Sequence, residues 1–234
     1  MERISIIIPV YNEEKTILKI LEKIEKVNIP IEKEIIVIDD FSDDGTKNIL
    51  NKKERDIKLV FHEKNLGKGA AVRTGLKHAT GDIILIQDAD LEYDPNDYSK
   101  LLEPIINNET KVVYGSRFLG ENYEKWSSQK NIIRSHLFGN KFLSFMTQIL
   151  YSRKITDMET CYKVLSKDVL ANINLEARGF ELEPEITAKI INKGYDIVEV
   201  PINFNPRSFE EGKKINWKDG IKALYYLVKF RFSK

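Results

Sequence analysis

Short apolar runs alternate with amphipathic stretches through the first half of the chain. The runs at residues 4–8, 34–38, 58–61, 83–87 and 112–114 are rich in isoleucine, valine and leucine, and are apolar almost throughout rather than at every second position. Strands covered on both faces read this way, so the runs predict a parallel sheet. Between them, residues 14–27, 46–53, 68–79 and 96–107 carry helical spacing; in the first, Ile17, Leu21, Ile24 and Val27 form one stripe. This alternation predicts right-handed βαβ units and a doubly wound α/β fold over residues 1–120.

The second half is less regular. Residues 132–151 read as one long helix with a broad apolar surface that includes Phe138, Phe142, Phe145 and Ile149. Residues 183–192 read as a helix, 196–204 as a strand, 206–216 as a charged loop and 217–232 as a last helix. No repeat or Gly/Ser linker divides the chain. The expected organisation is one domain, residues 1–215, with residues 216–234 as a basic amphipathic helix belonging to it.

Composition narrows the function classes. A chain of 234 residues with 42% hydrophobic residues can bury a large core. Thirty-seven basic residues nearly cancel 36 acidic ones, so nothing global draws the protein to nucleic acid. The single cysteine, Cys161, excludes an internal disulfide and fits a reducing, cytoplasmic setting. The first apolar run stops at Pro9, too short for a secretion signal, and no apolar window reaches the ~18 residues of a membrane span.

In parallel α/β sheets, ligands bind beyond the carboxyl ends of the strands. Three acidic motifs fall there: Pro9-Val10-Tyr11-Asn12-Glu13-Glu14, Asp39-Asp40-Phe41-Ser42-Asp43-Asp44-Gly45-Thr46 and Asp88-Ala89-Asp90-Leu91-Glu92. So much like charge on one rim costs stability unless a cation or hydrogen-bond donors neutralise it. A hard divalent ion with oxygen ligands, Mg2+ or Mn2+, answers that need and leaves positions for phosphate oxygens. Turn and capping roles compete at Asp43, Asp44 and Asn12. Asp88 and Asp90, one residue apart after a buried-looking strand, are the stronger metal candidates.

Other chemistries fail on their motifs. Val72 stands where a dinucleotide fingerprint after Asn65-Leu66-Gly67-Lys68-Gly69 needs glycine, and no Gly-Lys-Ser/Thr follows. A calcium loop starting at Asp40 would end on Asn51 instead of glutamate. His62, His78 and His136 lack zinc-ligand spacing, and no Gly-x-Ser-x-Gly elbow is present.

The ordered set of motifs resembles family 2 glycosyltransferases of the GT-A fold, and within them the dolichol-phosphate mannose synthase group. To the three acidic motifs it adds Ala71-x-Arg73-x-Gly75, Gly81-Asp82, Gly115-Ser116-Arg117-Phe118, Asp157-x-x-Thr160-Cys161-Tyr162-Lys163, and Glu199-Val200-Pro201-Ile202 followed by Arg207. The resemblance implies a mostly parallel sheet with helices on both faces. Pro9, Tyr11, Glu13, Asp40, Lys68 and Asp88 would bind the donor nucleotide, and Asp88, Asp90 and Glu92 the metal. Arg117, Arg134 and Arg207 would grip acceptor or donor phosphate, because the guanidinium fork binds phosphate oxygens in pairs. Asp90 and Arg117 would be catalytic.

The expected reaction is in-line displacement with inversion, moving a hexose from GDP-mannose, UDP-glucose or a UDP-N-acetylhexosamine to a polyprenyl phosphate. The phosphate is already anionic and needs placement more than deprotonation. A sugar-hydroxyl acceptor would instead need a carboxylate base, with Asp157 the candidate. Trp217, Ile221, Leu224, Tyr225, Val228 and Phe232 recur at helical spacing among lysines and arginines, which predicts peripheral attachment to the cytoplasmic membrane face. Packing on the core, a sister subunit or an anchoring partner is the competing use. A nucleotidyltransferase and a non-catalytic sugar-nucleotide-binding module are the rival classes; the first lacks its Gly-rich basic loop, and the pair Asp88 and Asp90 speaks against the second.

Overall fold

The computed structural model describes residues 2–53, 57–120, 123, 134–207 and 217–232, with the side chains of 134–136, 217 and 218 excepted. Its strands are β1 (Arg3–Val10), β2 (Glu32–Asp39), β3 (Lys58–Phe61), β4 (Ile83–Ile86), β5 (Val112–Ser116), β6 (Lys163–Ser166) and β7 (Val198–Pro201). Its helices are α1 (Ile17–Lys26), α2 (Thr46–Asn51), α3 (Lys68–His78), α4 (Tyr98–Ile106), α5 (Arg134–Tyr151), α6 (Lys167–Ala171), α7 (Leu182–Asn192) and α8 (Trp217–Phe232).

The strands form one sheet in the order β3-β2-β1-β4-β6-β5-β7. β1 pairs in parallel with β2 and β4, and β2 with β3. β6 is antiparallel to both its neighbours, β4 and β5, whereas β5 and β7 are parallel. The fold is therefore the expected mostly parallel sheet. The reversed strand β6 and the short helix after it were not foreseen. Four residues beginning with lysine carry too little apolar signal, yet all four are buried between two strands. The strand expected over 196–204 shortens to β7.

β1 shows why both faces are covered. Ile4, Ile6 and Ile8 join Ile17, Ile20, Leu21 and Ile24 of α1 and Leu101, Leu102 and Ile105 of α4 in the main core. Ile7 points the other way and packs with Ile36, Ile38 and Ala71 of α3. A third cluster lies apart and joins Leu143 and Tyr151 of α5, Ala188 of α7, and Ala223, Leu227 and Phe230 of α8.

Ile6→Ala in the fully buried centre of β1 should lower stability by about 2–5 kcal/mol, read from the midpoint of urea unfolding at unchanged slope.

Candidate active site

The carboxyl ends of β1, β2 and β4 open onto one cavity of about 370 Å3, lined by Pro9, Tyr11, Glu13, Asp40, Lys68, Asp88, Asp90, Glu92, Arg117 and Arg207 among others. These are the sequence-predicted positions except for Asp157, which does not line it, and Arg134, whose side chain lies outside the described residues.

The floor is set by hydrogen bonds. Gln87 follows β4 with its side chain fully buried, and its Oε1 accepts from the Tyr98 hydroxyl at 2.7 Å and the Tyr162 hydroxyl at 2.8 Å. Its amide donates to the Asp88 carbonyl at 2.9 Å, fixing the backbone that carries the acidic pair. Asp40 organises the glycine-rich loop: its carboxylate accepts from the backbone N–H groups of Leu66 (2.9 Å) and Gly67 (2.7 Å) and lies 2.7 Å from His62 Nδ1. Gly67 has φ +93°, and a Cβ there would lie 2.4 Å from the Arg178 carbonyl, so only glycine lets this loop meet residues 177–178. Asn12, also in the left-handed region at φ 52°, does not cap α1. It exchanges side-chain hydrogen bonds with Asp43 and ties the loop after β1 to the loop after β2.

Each acidic side chain of the triplet has a different cationic neighbour. Asp88 lies 2.8 Å from Lys68 Nζ, which also lies 3.3 Å from Glu183. Asp90 lies 2.7 Å from Arg207 Nη2, whose Nη1 is 3.2 Å from Glu13. The consequences diverge. Burial alone would raise the pKa of Asp88, but the Lys68 ammonium outweighs it and holds the carboxyl below its ordinary range. Burial and the charges of Asp88 and Glu92 push Asp90 up to about 8 despite Arg207. Lys68 itself stays protonated, because Asp88 and Glu183 overcome the cost of burying it.

The expected metal set is Asp88, Asp90 and Glu92. Among the described residues, no group of three His, Cys, Asp or Glu side chains converges as a metal-binding cluster. Glu92 Oε1 accepts the Arg207 backbone N–H at 2.6 Å, so this residue anchors the segment that returns across the cavity.

Asp157 is the expected base for a sugar-hydroxyl acceptor. It is fully buried and accepts from Arg117 through Nε (2.7 Å), Nη2 (2.7 Å) and the backbone N–H (3.0 Å). Held by the bidentate arginine and outside the cavity lining, this carboxylate positions Arg117. The guanidinium also lies over the Phe204 ring, 5.1 Å from its centroid.

Two lining residues escaped the sequence reading. Glu183, in the first turn of α7, bridges Lys68 and the fully buried Lys163, whose ammonium lies 2.5 Å from it. Glu159 stands between Asp157 and the turn into β6, and its Oε1 is buried with no hydrogen-bond partner among the described residues. Burial and the charges of Glu183 and Asp157 push its carboxyl up to about 7, against the pull of Lys163 and Arg117. No spacing in the sequence links position 183 to Lys68. Position 159 fell in an unassigned gap of its motif.

The sheet is that of the GT-A glycosyltransferases. Residues 5–173 match the profile described as glycosyl transferase family 2, and the chain belongs to that family. It is 32% identical to the UDP-N-acetylglucosamine–dolichyl-phosphate N-acetylglucosaminyltransferase of Methanococcus voltae, over 99% of this chain and 97% of that protein. It is 30% identical to the dolichol-phosphate mannosyltransferase of Pyrococcus furiosus, over 90% of this chain but 59% of that longer protein. Among solved structures, glucosyl-3-phosphoglycerate synthase from Mycobacterium tuberculosis, in complex with Mn2+, UDP and phosphoglyceric acid, superposes with TM-score 0.72 at 18% identity, covering 100% of this chain and 80% of that one. It shares the fold.

Asp157→Ala should destabilise the protein by about 3–5 kcal/mol, because it leaves the buried Arg117 without its partner. Chemical denaturation with a parallel activity assay checks this: an Asp157→Ala protein as stable as wild type but inactive would favour the base role.

Proposed function

We propose that the protein transfers a sugar from a nucleoside-diphosphate sugar to a polyprenyl phosphate at a membrane surface, with inversion at the anomeric carbon. The observation that carries this reading is one cavity wall holding both the Asp88–Asp90 pair and the phosphate-matching arginines Arg117 and Arg207. Both related transferases named above are described by a dolichyl- or dolichol-phosphate, which supports the acceptor class.

The donor set fits a hard divalent cation. Asp88 and Asp90 offer only oxygen, and a carboxyl pushed up to about 8 marks a place where negative charge is under-compensated. Asp88 and Asp90 would hold Mg2+ or Mn2+, which, when bound, offsets charge on the departing diphosphate. The remaining work falls to the protein. Pro9, Tyr11 and Asp40 line the nucleotide end. Lys68 supplies a permanent positive charge beside the diphosphate position. Arg117, oriented by Asp157, holds the incoming phosphate in line with the sugar, and Arg207 exchanges carboxylate partners for phosphate oxygens. A polyprenyl phosphate needs no base, which suits a site where Asp157 is already committed.

The membrane component rests on α5 and α8. Phe138, Phe142, Phe145 and Ile149 of α5 and Ile221, Tyr225, Val228 and Phe232 of α8 are exposed, although the two helices bury their opposite sides together. Lys222, Lys229 and Arg231 flank that apolar surface, the composition of an interfacial helix. No described helix is long and apolar enough to cross a bilayer.

Asp90→Ala should cut transfer by about 10²–10³-fold while leaving the fold intact, measured with each candidate nucleotide sugar and a short polyprenyl phosphate with and without Mn2+; unchanged activity rejects the role given to this residue. In flotation with anionic liposomes, wild type should rise with the lipid and the double variant Phe138→Asp, Phe145→Asp should not. A wild type that stays in the soluble fraction overturns the membrane component.

A further inference from the structure

Most charged groups around the cavity face an opposite charge, although Glu183 Oε1 and Arg207 Nε, like Glu159 Oε1, are buried atoms with no hydrogen-bond partner among the described residues. Asp88 meets Lys68, Asp90 and Glu13 meet Arg207, Asp157 meets Arg117, and Glu183 meets Lys68 and Lys163. Asp40 is satisfied by His62 and two backbone N–H groups. Glu159 lines the same cavity, yet its buried Oε1 has no hydrogen-bond partner among the described residues. Its charged neighbours are the anions Glu183 and Asp157 and the cations Lys163 and Arg117, each of which faces an anionic partner of its own.

A carboxylate here would oppose an anionic ligand and leave a buried acceptor unpaired. A neutral carboxyl has an O–H to offer. From this geometry we propose that Glu159 binds in its protonated form, donating a hydrogen bond from its carboxyl to an oxygen of the acceptor phosphate beside Arg117. The inference rests on the phosphate-acceptor reading above. It makes acceptor binding a proton-linked step: the negative phosphate favours the protonated carboxyl, so binding near neutral pH draws a proton onto Glu159. Burial and the neighbouring acids already bring the group to about 7, where such uptake is large.

The test is calorimetric titration of the full chain with a short-chain polyprenyl phosphate at pH 7, in two buffers of different ionisation enthalpy. Wild type should take up on the order of half a proton more than E159Q, whose amide is a permanent donor. Acceptor kcat/KM in wild type should fall about tenfold per pH unit above the transition, and E159Q should lack that limb. E159M, which neither titrates nor donates, should weaken phosphate binding about tenfold relative to wild type below the transition and show no such loss above it, and it keeps the test open if E159Q fails to fold. Equal proton uptake in wild type and variants overturns the inference. So does activity that vanishes as pH falls together with an inactive E159Q, the signature of a general base. Proton uptake that depends on Glu159 without sugar transfer to the phosphate upholds Glu159 and removes polyprenyl phosphate as the acceptor. A wild type that binds no phosphate overturns both.

Discussion

Carboxylates gathered at the ends of parallel strands stay there only if positive charge is brought to them from elsewhere in the chain. Here the strand ends supply Glu13, Asp88 and Asp90, and the compensation comes from the start of α3 and from the segment after β7. The rest of the site follows from this. Lys68 can reach Asp88 because Gly67 and Gly69 let the start of α3 press against residues 177–178. Arg207 can reach Asp90 because Glu92 and Asp97 hold the backbone of residues 203–207 against the strand ends.

Beneath the charged rim lies a layer of buried hydrogen bonds. Gln87 with Tyr98 and Tyr162, Tyr114 with Thr187, and Lys163 with Glu183 join β4, β5 and β6 to the helices behind them. Such groups are costly to bury unless each finds its partner. The reversed strand β6 makes the layer complete, because it places Lys163 beneath the cavity and carries the chain past Asp157 and Glu159 on the way in.

Much of this was legible in the sequence. Continuous isoleucine-rich runs specify strands covered on both faces, and the first five strands follow from them directly. The motif order identified the acidic pair, Arg117 and Arg207, all of which line one cavity. What stayed hidden depended on partners rather than residue types. Asp157 offers the same carboxylate whether it takes a proton from a substrate or holds an arginine, and only the fold brings Arg117 to it. Glu92 gains a further partner, the Arg207 backbone N–H, only when the chain returns across the cavity. β6 is too short to announce itself, and Glu159 and Glu183 acquire meaning only from neighbours far away in sequence.

The bond between Arg207 and Glu13 spans 194 positions, and that between Arg207 and Asp90 spans 117. Contacts this remote are the last to become affordable as a chain collapses, because their loop-closure entropy is offset only once the intervening sheet exists. The charge balance of the rim thus depends on the whole length of chain between positions 13 and 207, so a change that loosens the sheet anywhere along it loosens the site as well.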